Sequence, residues 1–334
     1  MQIISWIIST LLQWYVWMPI VAVLMFLTWR NYRKIEDFTP VESVLLVLEI
    51  PRTNDKQELA AEQLFASLHG ILRDNKELRL SGGHQEHISF EIASVNGQIR
   101  FYVWVPKTLQ SFVEGQIYSQ YPTVQIHQAD EDYTEHERDH EVAYSTELTL
   151  TTDEFLPIRT FQNFEVDPLA GITGTLAKLE TTGEELWIQV LVRPIPDDWQ
   201  NAADRYINSI KNGRIFSLPG FGGSMQWLIG VLGALWQPPE QGANQSTAVE
   251  LSDRDKTRIS EAEKKATKLG YEVKIRLVYM GESQTNAKLR MQALVGTFKQ
   301  FNSTNLNGFR AVKGAFGKEF IDKYRKRSFI GDGF

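Results

Sequence analysis

The chain has 334 residues, 35 Lys and Arg against 41 Asp and Glu, a net charge of −6, and no cysteine. The missing thiols exclude disulfides, Cys-ligated zinc, iron–sulfur clusters and a cysteine nucleophile. The acidic balance argues against a general nucleic-acid-binding surface.

In chain order, the first feature is apolar. No Asp, Glu, Lys, Arg or His occurs from Met1 to Trp29. A bilayer core about 30 Å thick needs ~20 apolar residues in helix, so residues 1–29 read as a transmembrane anchor. Pro19 would kink that helix, and no small-residue cleavage site of a signal peptide is visible. Arg30, Arg33 and Lys34 follow directly, in a basic linker over 30–41. The positive-inside rule then predicts a single-pass protein of the cytoplasmic membrane, with its N-terminus outside and its bulk in the cytoplasm.

Residues 42–152 read as one domain. Glu42 to Ile50 is a short apolar run closed by Pro51, a buried strand. Asn54, with Gln57 three residues on, marks a helix start; Leu59, Leu64, Phe65, Leu68, Ile71 and Leu72 recur at helical spacing. His87 to Ala93 and Gln98 to Val105 flank Asn96-Gly97, the strongest short-range hairpin signal. Lys107 to Gln120 is a helix stopped by Pro122, and Thr123 to His127 is a strand. The order β-α-β-β-α-β predicts a ferredoxin-like sandwich. Glu141 to Thr151 extends that sheet or leads out of it, and 153–168 reads as a linker.

A second α/β unit of the same kind is expected over 169–312. Its helices are Asp167 to Leu179, Asp197 to Lys211, Ser252 to Leu269 and Thr285 to Phe301; its strands are Glu184 to Val192, Tyr271 to Met280 and Phe309 to Val312. It is interrupted by an insertion, 213–250, in which Ile215 to Pro239 carries no charge. Trp227, Leu228, Leu232 and Trp236 stand out there as residues for a membrane or partner surface. A hydrophobic arm packed on its own domain is the plainer reading.

Three motifs bear on chemistry. His136-Glu137-Arg138-Asp139-His140 has the H-E-x-x-H spacing that places two histidines on zinc beside a glutamate base. It lies in an acid-rich stretch, Asp130 to Glu141, with no amphipathic helix to hold it and no evident third ligand. A solvated loop is the better reading, and a membrane-bound zinc metallohydrolase on His136 and His140 the alternative. Gly314-Ala315-Phe316-Gly317-Lys318 lacks the spacing and the hydroxyl residue of a phosphate-binding loop. No catalytic residue and no cofactor site is therefore assigned. Residues 313–334 form a basic C-terminal segment in which Lys323, Arg325, Lys326 and Arg327 make a patch for nucleic acid or anionic lipid, or a solvated helix face.

The runs SVLLVLEIPRTNDKQELAAEQLFASLHGILR, HISFEIASVNGQIRFYVWVPKTLQSFVEGQIYSQYPTVQI, LVRPIPDDWQNAADRYI and KRSFIGDGF resemble the membrane-anchored N-terminal region of type IV secretion and conjugative-transfer ATPases of small-genome bacteria. The resemblance implies a non-catalytic, membrane-tethered assembly domain that positions a motor ATPase. It also implies the lipid bilayer, the motor and other secretion components as partners, with a hexamer if the chain follows its motor and with DNA contact left open. The motor domain itself is not among these residues, and none of the matching runs carries a catalytic residue.

Overall fold

The computed structural model describes residues 17–19, 21–26, 42–51, 59–80, 85–135, 142–179, 183–211, 251–317 and 319–329. Within them, nine strands alternate side chains between two faces of one sheet, as the two-residue period of a strand requires. The strands are β1 (Ser43–Glu49), β2 (Ile88–Val95), β3 (Gln98–Pro106), β4 (Gln125–Gln128), β5 (Val142–Leu150), β6 (Glu185–Pro194), β7 (Tyr271–Gly281), β8 (Phe309–Ala311) and β9 (Ala315–Phe316). Their order is β4-β1-β3-β2-β6-β7-β5-β8, with β9 also on β5, and every pairing is antiparallel. Asn96 (φ 52°) and Gly97 (φ 71°) both sit in the left-handed region at the β2–β3 turn, the geometry that a tight hairpin needs.

One face of the sheet is covered by helices. Leu64 and Leu68 of α1 (Leu59–Leu68) and Val113 and Ile117 of α3 (Gln110–Gln120) pack on Val44, Leu46, Ile88, Val103 and Val105. Between these helices, α2 (Asn75–Leu80) is a short turn of helix. Farther along the same face, Ile172 and Leu176 of α4 (Pro168–Ala177) and Met291, Leu294 and Phe298 of α7 (Gln284–Phe298) pack on Leu186, Ile188, Ile275 and Leu277. Asp167 caps α4 through the Leu169 N–H, and Ser283 caps α7 through the Asn286 N–H. Helices α5 (Asp198–Lys211) and α6 (Asp253–Ala266) pair through Ile207, Ile210, Ile259 and Ala262, with Leu156 between them.

The opposite face is covered by the C-terminal segment. Helix α8 (Glu319–Arg325) brings Phe320, Ile321 and Tyr324 onto Tyr102, Trp104, Trp187 and Val278. The loop that follows β4 adds Tyr133 to the same cluster.

Two sequence expectations are corrected here. The two ferredoxin-like sandwich units do not exist as separate bodies, because β2 pairs with β6 from Ile88↔Val192 to Ser94↔Leu186. Strand β2 is apolar toward the helices and carries a buried carboxylate on its other side; left as an edge, it would leave a row of backbone donors and acceptors unpaired. Strand β5, expected to extend the first sheet or lead out of it, instead lies between β7 and β8.

The second correction concerns the membrane anchor over 1–29. Among the described residues, no helix is long and apolar enough to cross a membrane. Helix is described at 17–19 and 21–26, and the other residues of 1–29 lie outside the described residues. The single-pass topology and the cytoplasmic-membrane location are withdrawn with it. The expected cap at Asn54, the linker 30–41 and the insertion 213–250 lie outside the described residues.

A continuous sheet makes a thermodynamic prediction. Leu46 on β1 and Leu277 on β7 are both fully buried, in different helix-covered clusters. Leu46→Ala and Leu277→Ala should each cost about 2–5 kcal/mol and shift one shared transition, read by urea denaturation with circular dichroism and tryptophan fluorescence as probes. Two resolved transitions, one moved by each variant, would show two independent units instead.

Candidate functional site

The densest group of buried ionisable side chains among the described residues lies where β2, β6 and β7 face the C-terminal segment. Alternation puts Ser89 and Glu91 of β2, Gln189 of β6, and Lys274 and Arg276 of β7 on that face. The Glu91 side chain has no exposed surface. A carboxylate so placed requires donors on all sides. Its Oε1 accepts from the Ser89 hydroxyl (2.7 Å), Gln189 Nε2 (2.9 Å) and Arg327 Nε (3.1 Å); its Oε2 accepts from the Tyr133 hydroxyl (2.8 Å) and Arg327 Nη2 (3.0 Å). Tyr133 has one proton and gives it to Glu91, so the Tyr324 hydroxyl, 2.9 Å away, donates to Tyr133.

Arg327 is the counterpart. Its side chain is 3% exposed, and its backbone sits in the left-handed region at φ 47°. Beyond the two bonds to Glu91, Nη1 donates to Asp132 and to the Arg325 carbonyl (3.0 Å), and Nη2 donates to Asp132 Oδ1 (3.2 Å). All five N–H groups of the guanidinium are thereby engaged. Two carboxylates grip it in bidentate fashion, the strongest arrangement available to an arginine. The left-handed turn after α8 swings the guanidinium back under the helix; strain of that kind persists only where surrounding bonds enforce it.

The charges shift their neighbours. Burial pushes the Asp132 carboxyl up, but the hydrogen bond and charge of Arg327 and the donors of Thr134 more than reverse this and leave it below its ordinary value. Burial and the Glu91 charge raise the Tyr133 and Tyr324 phenols well above theirs. Burial lowers the Lys274 ammonium to about 8, with Glu147 opposing. The chemistry of the group is that of a clasp, which fastens the C-terminal segment to the sheet by charge-assisted hydrogen bonds.

Beside the clasp, a cleft of about 610 Å³ opens over β1, β3 and β4, lined among others by Arg100, Tyr102, His127, Asp130 and Tyr133. Tyr102 and Tyr133 stack at 4.8 Å to form part of its wall. Its charges are of both signs, and no group of residues suited to a metal ion occurs among the described residues.

The basic patch read from the sequence divides in the structure. Arg327 is buried in the clasp; Arg325 is half-buried, donates to the Thr134 carbonyl and pairs with Asp322; Lys323 is half-buried and Lys326 exposed. His136, Glu137 and His140 lie outside the described residues, as do Trp227, Leu228, Leu232 and Trp236. Sequence reasoning missed Glu91, Asp132, Gln189 and Arg276. The signal was present for two of them: HISFEIASV carries the single carboxylate Glu91 inside an otherwise apolar strand, and YEVKIRLVYM sets Glu272, Lys274 and Arg276 at alternate positions of another, a pattern that calls for partners wherever such a face is buried.

A family model covers residues 36–330 and is described as Domain of unknown function (DUF8128). The chain belongs to this family. A comparison with curated proteins gives no match. Solved structures similar to the chain include a chitooligosaccharide oxidase (8% identity, TM-score 0.30) and a xylooligosaccharide oxidase from Myceliophthora thermophila C1 in complex with xylobiose (12% identity, TM-score 0.30). Each covers 81% of this chain, which spans 46% of the length of either oxidase. Likeness at that level carries no argument about the reaction, and none of these comparisons links the chain to secretion ATPases.

Removing Arg327 leaves Glu91 charged, buried and short of two donors. Arg327→Ala should therefore cost about 3–5 kcal/mol, while Glu91→Gln combined with Arg327→Met costs less than that single change, read by urea denaturation. Because Asp132 is held low, its contribution is present above the unfolded value of about 4 and is lost as pH falls through the folded value. Asp132→Asn should flatten the acid limb of a stability–pH profile. The two raised phenols act on the other side, with stability present below about pH 10 and lost as pH rises beyond it.

Proposed function

We propose that the chain is a non-catalytic assembly module that holds a motor ATPase within a DNA-transfer or type IV secretion machine. The clasp carries the assembly part of this reading. The most elaborate polar constellation among the described residues joins two parts of the chain to each other, with Glu91 at 0% and Arg327 at 3% exposure. Groups so enclosed position a segment rather than meet a substrate. A platform that is fixed before it binds loses little conformational freedom on association, which favours tight assembly.

The motor as partner rests on the resemblance of 43–73, 87–126, 191–207 and 326–334 to the N-terminal regions of such ATPases. Membrane contact is no part of the proposal. The test pairs two measurements on the purified chain. Phosphate release from ATP should stay at the buffer blank, and size-exclusion chromatography with the motor ATPase encoded in the genomic neighbourhood should give one co-eluting complex. ATP turnover by the chain alone, or the absence of a complex at micromolar concentrations, would overturn it.

A further inference from the structure

On the sheet face opposite the helices, the C-terminal segment covers only part of the floor. The cleft of about 610 Å³ beside it takes its bottom from Val47, Val95 and Ala129 and one wall from the stacked rings of Tyr102 and Tyr133. That volume lies within the range of about 300–1,000 Å³ that small-ligand sites occupy. An apolar floor with a few polar groups around it is also the composition of such sites.

Unlike the clasp, the cleft holds opposite charges that do not meet. Arg100 and Asp130 both line it, and both are exposed. Arg100 donates to the Gln98 side-chain oxygen (2.9 Å), and neither it nor Asp130 forms an ion pair among the described residues. An exposed charge alone is ordinary; here two of opposite sign stand at the two ends of one trough. The register shows this. Tyr102 and His127 both lie opposite Val47, and β3 and β4 run in the same direction because each is antiparallel to β1. Arg100 is two residues before Tyr102, and Asp130 is three residues after His127. Five residues of rise at about 3.3 Å and two strand spacings of about 4.8 Å separate their Cα atoms by roughly 19 Å. The two side chains shorten that gap as they reach inward.

We propose that the cleft binds short peptides with free termini, about four residues long, with the carboxylate on Arg100 and the ammonium on Asp130. Four extended residues span about 13–14 Å, which suits the distance between the two charges, whereas a single amino acid carries its own charges too close together to reach both. A guanidinium grips a terminal carboxylate through two parallel N–H donors. The imidazole of His127, level with the middle of the trough, has no side-chain partner among the described residues and faces the peptide main chain. The apolar floor of Val47 and Ala129 receives small side chains. This holds whether or not a motor docks elsewhere on the chain.

Isothermal titration calorimetry of the full-length chain with tetra-alanine tests the assignment. The free peptide should bind saturably, and N-acetylation or C-amidation should each weaken it about tenfold, the effect of one lost charge-assisted contact. Arg100→Gln should weaken the free peptide by the same factor yet leave the amidated peptide bound as it is to the unaltered chain. Asp130→Asn should behave in the same way toward the acetylated peptide. Both variants change exposed side chains, and the blocked peptides report on the same contacts with the native protein. Absence of saturable binding up to about 10 mM overturns the inference, as does equal binding of the doubly blocked peptide. An Arg100→Gln variant that weakens the amidated peptide as much as the free one overturns it too, since the carboxylate would then lie elsewhere.

Discussion

Glu91 sets the terms for half of this structure. A carboxylate with no exposed surface would cost many kcal/mol in an apolar interior, and the chain meets that cost with donors from four separate places: Ser89 on the same strand, Gln189 on β6, Tyr133 in the loop after β4, and Arg327 beyond α8. None of these donors can be withdrawn cheaply. The register of β2 against β6, the path of the 129–135 loop and the left-handed turn at Arg327 are consequently coupled through one side chain. A slip of β2 by one residue would turn Glu91 toward the helices and leave Arg327 without its partner.

That coupling explains why the sheet is continuous. The face opposite the helices is not apolar enough to be a simple core, since Ser89, Glu91, Gln189, Lys274 and Arg276 are spread over three adjacent strands. Each half of the sheet contributes part of the polar set: Glu91 comes from the first half, while Gln189 and Arg276 come from the second. Arg276 reaches Gln189 (3.2 Å), which in turn reaches Glu91, so satisfying the carboxylate requires β2 and β6 to be neighbours. Buried ion pairs contribute little net stability compared with apolar packing, and their best-attested role is to fix one arrangement among several. Here the arrangement fixed is the junction of two halves together with the strap that crosses it.

Much of the local structure was legible in the sequence because it rests on short-range rules. Asn96-Gly97 marked its hairpin; the apolar spacing of Leu64 and Leu68 marked a helix; Asp167 and Ser252 opened spans read as helices and cap them in the structure, while the helix read from Thr285 starts one residue earlier, behind a cap at Ser283. The junction was not legible, because nothing in ISFEIASV states whether its outer side meets solvent or another strand. Apolar alternation suits either, and only the lone Glu91 hinted at burial. The clasp was hidden for a related reason. Arg327 stands in KYRKRS, where adjacent Lys and Arg suggest a solvated basic helix, yet its pairing partners are 236 and 195 residues away. Charge counted along a chain carries no information about which one of four cations lies inside.

The distribution of bonds along the strap bears on how it works. Its side chains Phe320, Ile321 and Tyr324 supply apolar burial at one end, and the carbonyls of residues 323–329 are held by buried donors at the other. Apolar burial tolerates small displacements, whereas a guanidinium with five engaged donors tolerates almost none. The strap is therefore adjustable where it enters and fixed where it ends. Displacing the strap therefore requires breaking the Arg327 cluster, the part of the contact that tolerates the smallest shift.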